Sequence, residues 1–108
     1  MQIRSFVSGS VKVVAPEGDF NRENLGEIKD EFRFIRMFDE VLFDLSQVSF
    51  AGSTIINLLV HLKNRFPDDY RKIKIVNPNP MLLELFRLTR IHESYAIFCE
   101  EEAAETVV

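Results

Sequence analysis

The sequence predicts a single α/β domain over residues 1–108: a mixed four- to five-stranded sheet with helices packed against it, in the order β-β-α-β-α-β-α-β-α. Three observations carry that prediction. Two short alternating runs at the start are separated by Ser8-Gly9-Ser10, a turn-forming cluster. Two compact apolar runs, at 41–45 and 73–76, flank a long stretch of helical period. Elsewhere, apolar residues recur at spacings of three and four between short extended segments.

The first two runs, 3–7 and 11–15, read as an opening hairpin, and Pro16-Glu17-Gly18-Asp19 is expected to break the chain after them. Leu25, Ile28, Phe32 and Ile35 then define an amphipathic helix, with Asn21 as its N-cap and Glu23 in the first turn, where the helix dipole favours negative charge. Residues 41–45 are too apolar to alternate and read as a central strand buried on both faces. Residues 46–52 turn the chain. Ile55, Leu58, Leu59, Leu62 and Phe66 form the buried stripe of a second helix, stopped by Pro67.

The strand at 73–76 completes a strand-helix-strand unit, which should cross over right-handed between parallel strands. A third helix starts near Pro80 with Asn79 as cap and runs through Met81, Leu82, Leu85, Phe86 and Leu88 toward Arg90. Residues 95–99 give a last short strand. Glu100-Glu101-Glu102 suits the first turn of a terminal helix.

Composition excludes several classes. A chain of 108 residues has room for one core, and no internal repeat or Gly/Ser-rich linker divides it. The single cysteine, Cys99, cannot form an internal disulfide, and two histidines with one thiol cannot fill a structural zinc site without carboxylates. No metal and no cofactor are expected. Thirteen basic against seventeen acidic residues argue against direct nucleic-acid binding, which needs clustered Lys and Arg. No apolar run approaches the ~18 residues that suggest a membrane span, and the start of the chain does not read as a signal peptide. The expected location is the cytoplasm, with no membrane partner.

Catalytic chemistry has little support. Ser53, Asp44 and His61 or His92 supply the residue types of a hydrolytic triad, but Ala51-Gly52-Ser53-Thr54-Ile55 lacks the second glycine of a nucleophile elbow. Gly9, Gly18, Gly26 and Gly52 are isolated, so no phosphate loop exists. No catalytic residue is assigned.

Ser53, at the start of the second helix, is the more informative residue. As N-cap its hydroxyl would accept a hydrogen bond from the amide of Ile55 or Ile56, a role that needs no function. The same position is where free amides and the helix dipole best accommodate a phosphoryl group. At ~100° per residue, Ser53, Ile56, Asn57, Val60 and Asn64 lie opposite the buried stripe. Two apolar residues therefore sit below the serine on the side away from the sheet. A covering loop and a docking face for a partner account for them equally well.

The segment VLFDLSQVSFAGSTIINLL, residues 41–59, resembles the signature stretch of STAS domains, the fold of bacterial anti-sigma factor antagonists. A strand ending in Asp44-Leu45-Ser46 leads through Val48 and Phe50 to Ser53-Thr54 at the phosphoacceptor step. Gly18-Asp19-Phe20-Asn21 is similar to the family's Gly-Glu-Leu-Asp, Asn79-Pro80 and Leu85-Phe86-Arg87-Leu88-Thr89 to its third helix, and the acidic ending after Ile97-Phe98 to its usual close.

The resemblance implies a regulator that works by partner switching. The unmodified antagonist binds an anti-sigma factor that is a serine kinase, frees the sigma factor, and is inactivated when its serine is phosphorylated; a phosphatase resets it. On this pattern Ser53 is the phosphoacceptor, and Asn21, Gly52, Ser53, Thr54, Ile56, Asn57 and Val60 form the partner face. Three positions depart from the family. Gly52 and Asn21 replace acids beside the serine, and Arg90 replaces a glycine after the third helix, so that helix is expected to close differently. The loss of two acids leaves a second reading open: an interaction module that is not phosphorylated and binds a protein or small ligand through the same surface.

Ten phenylalanines remain to be placed. Phe32, Phe43, Phe66 and Phe86 fall on core positions, and Phe6, Phe20, Phe50 and Phe98 are expected to pack on the sheet. Phe38 lies near the end of the first helix and is left open. Phe34 lies opposite Leu25 and Phe32 on that helix and is the one expected exposed phenylalanine, a candidate surface for a homodimer.

Overall fold

Glycine at position 9 takes φ +60°, a left-handed conformation that it adopts without steric cost, and so closes the hairpin of β1 (Gln2–Ser8) and β2 (Val11–Asp19). A computed structural model describes residues 2–99. After the hairpin come α1 (Leu25–Glu31), β3 (Glu40–Asp44), β4 (Val48–Phe50), α2 (Gly52–Arg65), β5 (Ile73–Val76), α3 (Pro80–Leu88), α4 (Ile91–Ser94) and β6 (Ala96–Phe98). Short 3-10 turns occupy Arg22–Asn24, Ile35–Met37 and Tyr70–Lys72.

The sheet runs β1-β2-β3-β5-β6, antiparallel between β1 and β2 and parallel from there on, while β4 pairs with the far end of β2. From β2 onward each strand along this path is added on the same side of the last, so right-handed crossovers bring every connecting helix to one face. Burial follows that geometry. Val14, Val41, Phe43, Ile73 and Ile75 point into the core, whereas Val13, Leu42, Lys74 and Val76 keep part of their surface exposed. The expectation that residues 41–45 are covered on both faces is corrected by this one-sided winding.

The expected mixed α/β architecture is present, with six strands among the described residues in place of four or five. Pro16 does not break the chain: β2 continues to Asp19, with Pro16 opposite Ile3. It sits between the stretch paired with β3, which ends at Val14, and that paired with β4, which begins at Gly18, so its missing N–H interrupts neither ladder. Residues 46–52 are not all turn, since 48–50 form β4. The first helix is shorter than its periodicity implies; Ile35 reaches the core from a separate 3-10 turn. Helix α4 has no counterpart in the sequence reading, and the expected terminal helix lies outside the described residues.

Buried residues form one cluster in which Phe32 meets Phe43 edge-on at 5.3 Å and Tyr70 meets Tyr95 at 5.6 Å. The Tyr95 hydroxyl donates to the carbonyl of Leu59 in the middle of α2, linking the entry to β6 with that helix. Of the phenylalanines, the four assigned to the core are buried, Phe20 joins them, and Phe34 is exposed as expected. Phe6, Phe50 and Phe98 correct the expectation by being more than half exposed: Phe6 and Phe98 lie on edge strands on the helix-free side of the sheet, and Phe50 lies at the end of the short β4.

Candidate functional site

At the end of β3, Asp44 accepts a hydrogen bond from the Ser46 amide at 3.0 Å and starts the turn that leads into β4. Beside β4 the Gly18 amide donates to the Gln47 carbonyl at 2.9 Å, and the Phe20 amide to the Phe50 carbonyl at 2.7 Å. These bonds hold the Asn21 loop against the segment that opens α2. Asn21 is exposed, and its side-chain oxygen accepts from the Glu23 amide at 3.0 Å, capping the 3-10 turn that precedes α1. The sequence reading of Asn21 as a cap therefore holds, one short turn ahead of the α-helix proper.

Asn79 ties in a third element. Its oxygen accepts from the Leu82 amide at 2.9 Å, capping α3, while its amide group donates to the carbonyls of Val48 and Ser49 at 3.2 and 3.4 Å. One side chain thus fixes the start of α3 against β4.

Helix α2 starts at Gly52, with Ala51 in the cap position and no side-chain cap bond. This corrects the placement of Ser53 as N-cap: it is the second residue of the helix, and it is exposed. Gly52 has φ +52°, and a Cβ there would lie 3.4 Å from the Phe50 ring. The chain enters α2 through a conformation that favours glycine, at the position where the resemblance implies an acid.

Below Ser53 the helix divides as its periodicity requires. Ile55, Leu58, Leu59, Leu62 and Phe66 are buried; Thr54 and Ile56 are half-buried; Asn57 and Val60 are exposed. Gly52 through Val60 share one helix, and the Phe20–Phe50 bond brings Asn21 to the same end of the molecule.

The triad residues do not converge. Ser53 and His61 are eight positions apart on α2, about 12 Å along its axis. Asp44 is engaged with Ser46, and His92 Nδ1 lies 3.2 Å from the Phe86 carbonyl. Desolvation, then the positive charges of Lys29 and Arg65, lower the His61 pKa, which follows from its own surroundings without Ser53. Among the described residues no group of three or more His, Cys, Asp or Glu is placed to hold a metal ion, and no helix is long and apolar enough to cross a membrane.

The sequence reading missed part of this end of the molecule. Phe50, Met81 and Leu88 are exposed and, with Gly52, Leu82, Glu84 and Leu85, line a groove between α3 and the start of α2. The signal was present as Met81, Leu85 and Leu88 at spacings of four and three, a second apolar stripe beside the buried Leu82 and Phe86.

Strand order, the strand-to-helix step at Ser53 and the capped third helix together match one known architecture, and a family model for the STAS domain fits residues 2–104. The chain belongs to the STAS domain family. Among solved structures it is similar to an anti-sigma factor antagonist from Mycobacterium paratuberculosis (16% identity, 90% of this chain and 84% of that one, TM-score 0.77). It is also similar to an anti-sigma-factor antagonist (STAS) domain protein from Planctomyces limnophilus (22%, 98% and 98%, 0.67). A third is the Bacillus cell fate determinant SpoIIAA in its phosphorylated form (16%, 99% and 100%, 0.67). At these identities the likeness is one of fold. The comparison with curated proteins finds no match.

Arg90 has φ +63°, so α3 closes through the left-handed conformation a glycine would take, with an arginine in it. A side chain therefore sits in a backbone conformation that is strained for any residue but glycine.

Proposed function

We propose that this STAS domain is an anti-sigma factor antagonist that binds a kinase-type anti-sigma factor and is switched off by phosphorylation of Ser53. It thereby regulates transcription by partner switching in the cytoplasm, with a phosphatase restoring the unmodified form. The whole chain acts as one unit, as binding partner and kinase substrate rather than as a catalyst.

The observation that carries this reading is the exposure of Ser53 in the first turn of α2, directly above the exposed or half-buried Ile56, Asn57 and Val60. No side chain caps the helix, so first-turn amides and the positive end of the dipole face whatever group is attached there. A phosphoryl group adds about −1.5 to −2 charge at pH 7. Placed beside an apolar docking face, that charge opposes association without disturbing the core, which lies on the opposite side of the helix. Asn21, Gly52 and Thr54 complete the surface.

Binding of the cognate anti-sigma factor to Ser53→Ala and Ser53→Asp tests the switch. The alanine form is expected to bind as the native chain does, and the aspartate form to lose binding. Equal binding by both contradicts it.

The absence of acids at positions 21 and 52 favours a second reading, an interaction module that is not phosphorylated and binds a protein or small ligand through this surface. Under that reading, incubation with kinase and ATP leaves partner affinity unchanged.

A further inference from the structure

We propose that β1 is a dimerisation edge, pairing antiparallel with β1 of a second copy across a two-fold axis at Ser5 and joining the two sheets into one. The two-residue turn at Gly9 and Ser10 makes Ser8 and Val11 the closing hydrogen-bonded pair of the hairpin. Alternation then gives Phe6, Arg4 and Gln2 the inward bonds to β2. It turns the amides and carbonyls of Ile3, Ser5 and Val7 outward, along the edge.

Sheets commonly blunt such an edge with a short strand, a proline, a bulge or a charge. The opposite edge, β6, is blunted by its length of three residues. Strand β1 runs seven residues in unbroken register, with no proline. Its one charge, Arg4, is drawn back toward Glu17 of β2 at 3.6 Å. Phe6 and Val7 are 59% and 55% exposed, on opposite faces of the strand.

The order of side chains selects the occupant. About an axis at Ser5, all seven residues find partners in the second copy. Ile3 faces Val7 and Ser5 faces Ser5 as hydrogen-bonded pairs, while Arg4 faces Phe6 and Gln2 faces Ser8. Apolar meets apolar on the helix side of the sheet, and a guanidinium meets an aromatic ring on the other. A slip of one residue sets outward backbone groups against inward ones. An axis at Arg4 opposes two arginines, and one at Phe6 leaves Gln2 and Ile3 of both copies unpaired. Residues 100–108 follow β6, four strand spacings or about 19 Å from β1. Crossing that distance takes about six of them, leaving too few to pair with a seven-residue strand. Strand β1 itself supplies a complement at every position.

The test uses the full chain. Sedimentation velocity should show a monomer–dimer equilibrium as concentration rises, and the amides of Ile3, Ser5 and Val7 should exchange with deuterium more slowly over the same range. Ser5→Lys and Ser5→Glu, at an exposed position, each set like charges across the axis. Each should weaken association about tenfold or more, with the circular dichroism spectrum unchanged. An equimolar mixture of the two variants should recover the dimer, because an axis at Ser5 sets the lysine opposite the glutamate. The proposal is overturned if the chain stays monomeric to millimolar concentration or if the mixture fails to recover the dimer. It is also overturned if Phe34→Asp abolishes association while Ser5→Lys does not. None of these outcomes depends on Ser53, whose role the aspartate and alanine variants decide separately.

Discussion

The amide of Phe20 donates to the carbonyl of Phe50 at 2.7 Å, and this bond sets the loop carrying Asn21 beside the first turn of α2. Two segments some thirty residues apart in sequence thereby share one surface with Ser53 on it. The same β4 segment is held from the other side by Asn79, so three connections converge at this end of the sheet.

Asn79→Ala removes the α3 cap and both bonds to β4. The expected loss is about 1–2 kcal/mol of stability, in the range of a lost cap. Urea unfolding measures it. A change within a few tenths of a kcal/mol would mean that the cap and the clamp are replaced by water.

Gly52→Ala places a side chain at φ +52° and 3.4 Å from the Phe50 ring. Left-handed backbone costs an ordinary residue roughly 1–2 kcal/mol, so the variant should unfold at lower denaturant with an unchanged slope. An aspartate or glutamate at this position carries the same backbone cost.

Arg90→Gly runs the opposite way. Relieving φ +63° returns part of that strain, offset by the greater freedom of glycine in the unfolded chain, for a net gain of up to about 1 kcal/mol. Thermal unfolding should show a higher midpoint, with partner binding unchanged.

Tyr95 predicts an alkaline limit. Burial, then repulsion from the negative charge of the ionised Tyr70 phenol, raises its pKa above the ordinary value, opposed by a backbone hydrogen bond from Lys63. In the unfolded chain it ionises from about pH 10, whereas the folded form keeps its proton to higher pH. Its contribution is therefore fully present below pH 10 and lost as pH rises beyond that. Unfolding curves of the native chain and Tyr95→Phe, followed from neutral to strongly alkaline pH, should converge as this contribution disappears. A constant difference between them would show that the phenol does not titrate differently on folding.

What the sequence made legible follows from how strongly each signal was specified. The buried stripe from Ile55 to Phe66, the strand at 73–76 and the Asn79 cap were readable because local pattern and tertiary burial agree there. Strand β4 was not, because it spans three residues and is defined by pairing with β2, a contact with no local signature. Pro16 misled for the same reason: a strand that changes neighbours partway tolerates a proline that an evenly paired one does not. At the site, the exposed face of α2 followed from helical period. The start of that helix did not, because Gly52 carries it one residue upstream of the hydroxyl that would otherwise have capped it. The α3 groove stayed hidden because Met81, Leu85 and Leu88 read as part of one broad apolar helix until Leu82 and Phe86 proved to fill its buried side.

Incubation of the chain with its cognate anti-sigma kinase and ATP, followed by intact mass and site mapping, tests the central claim most directly. One added phosphate is expected, located on Ser53, with none added to Ser53→Ala. An unmodified chain under conditions that phosphorylate a control antagonist, or a phosphate at another residue, would contradict it.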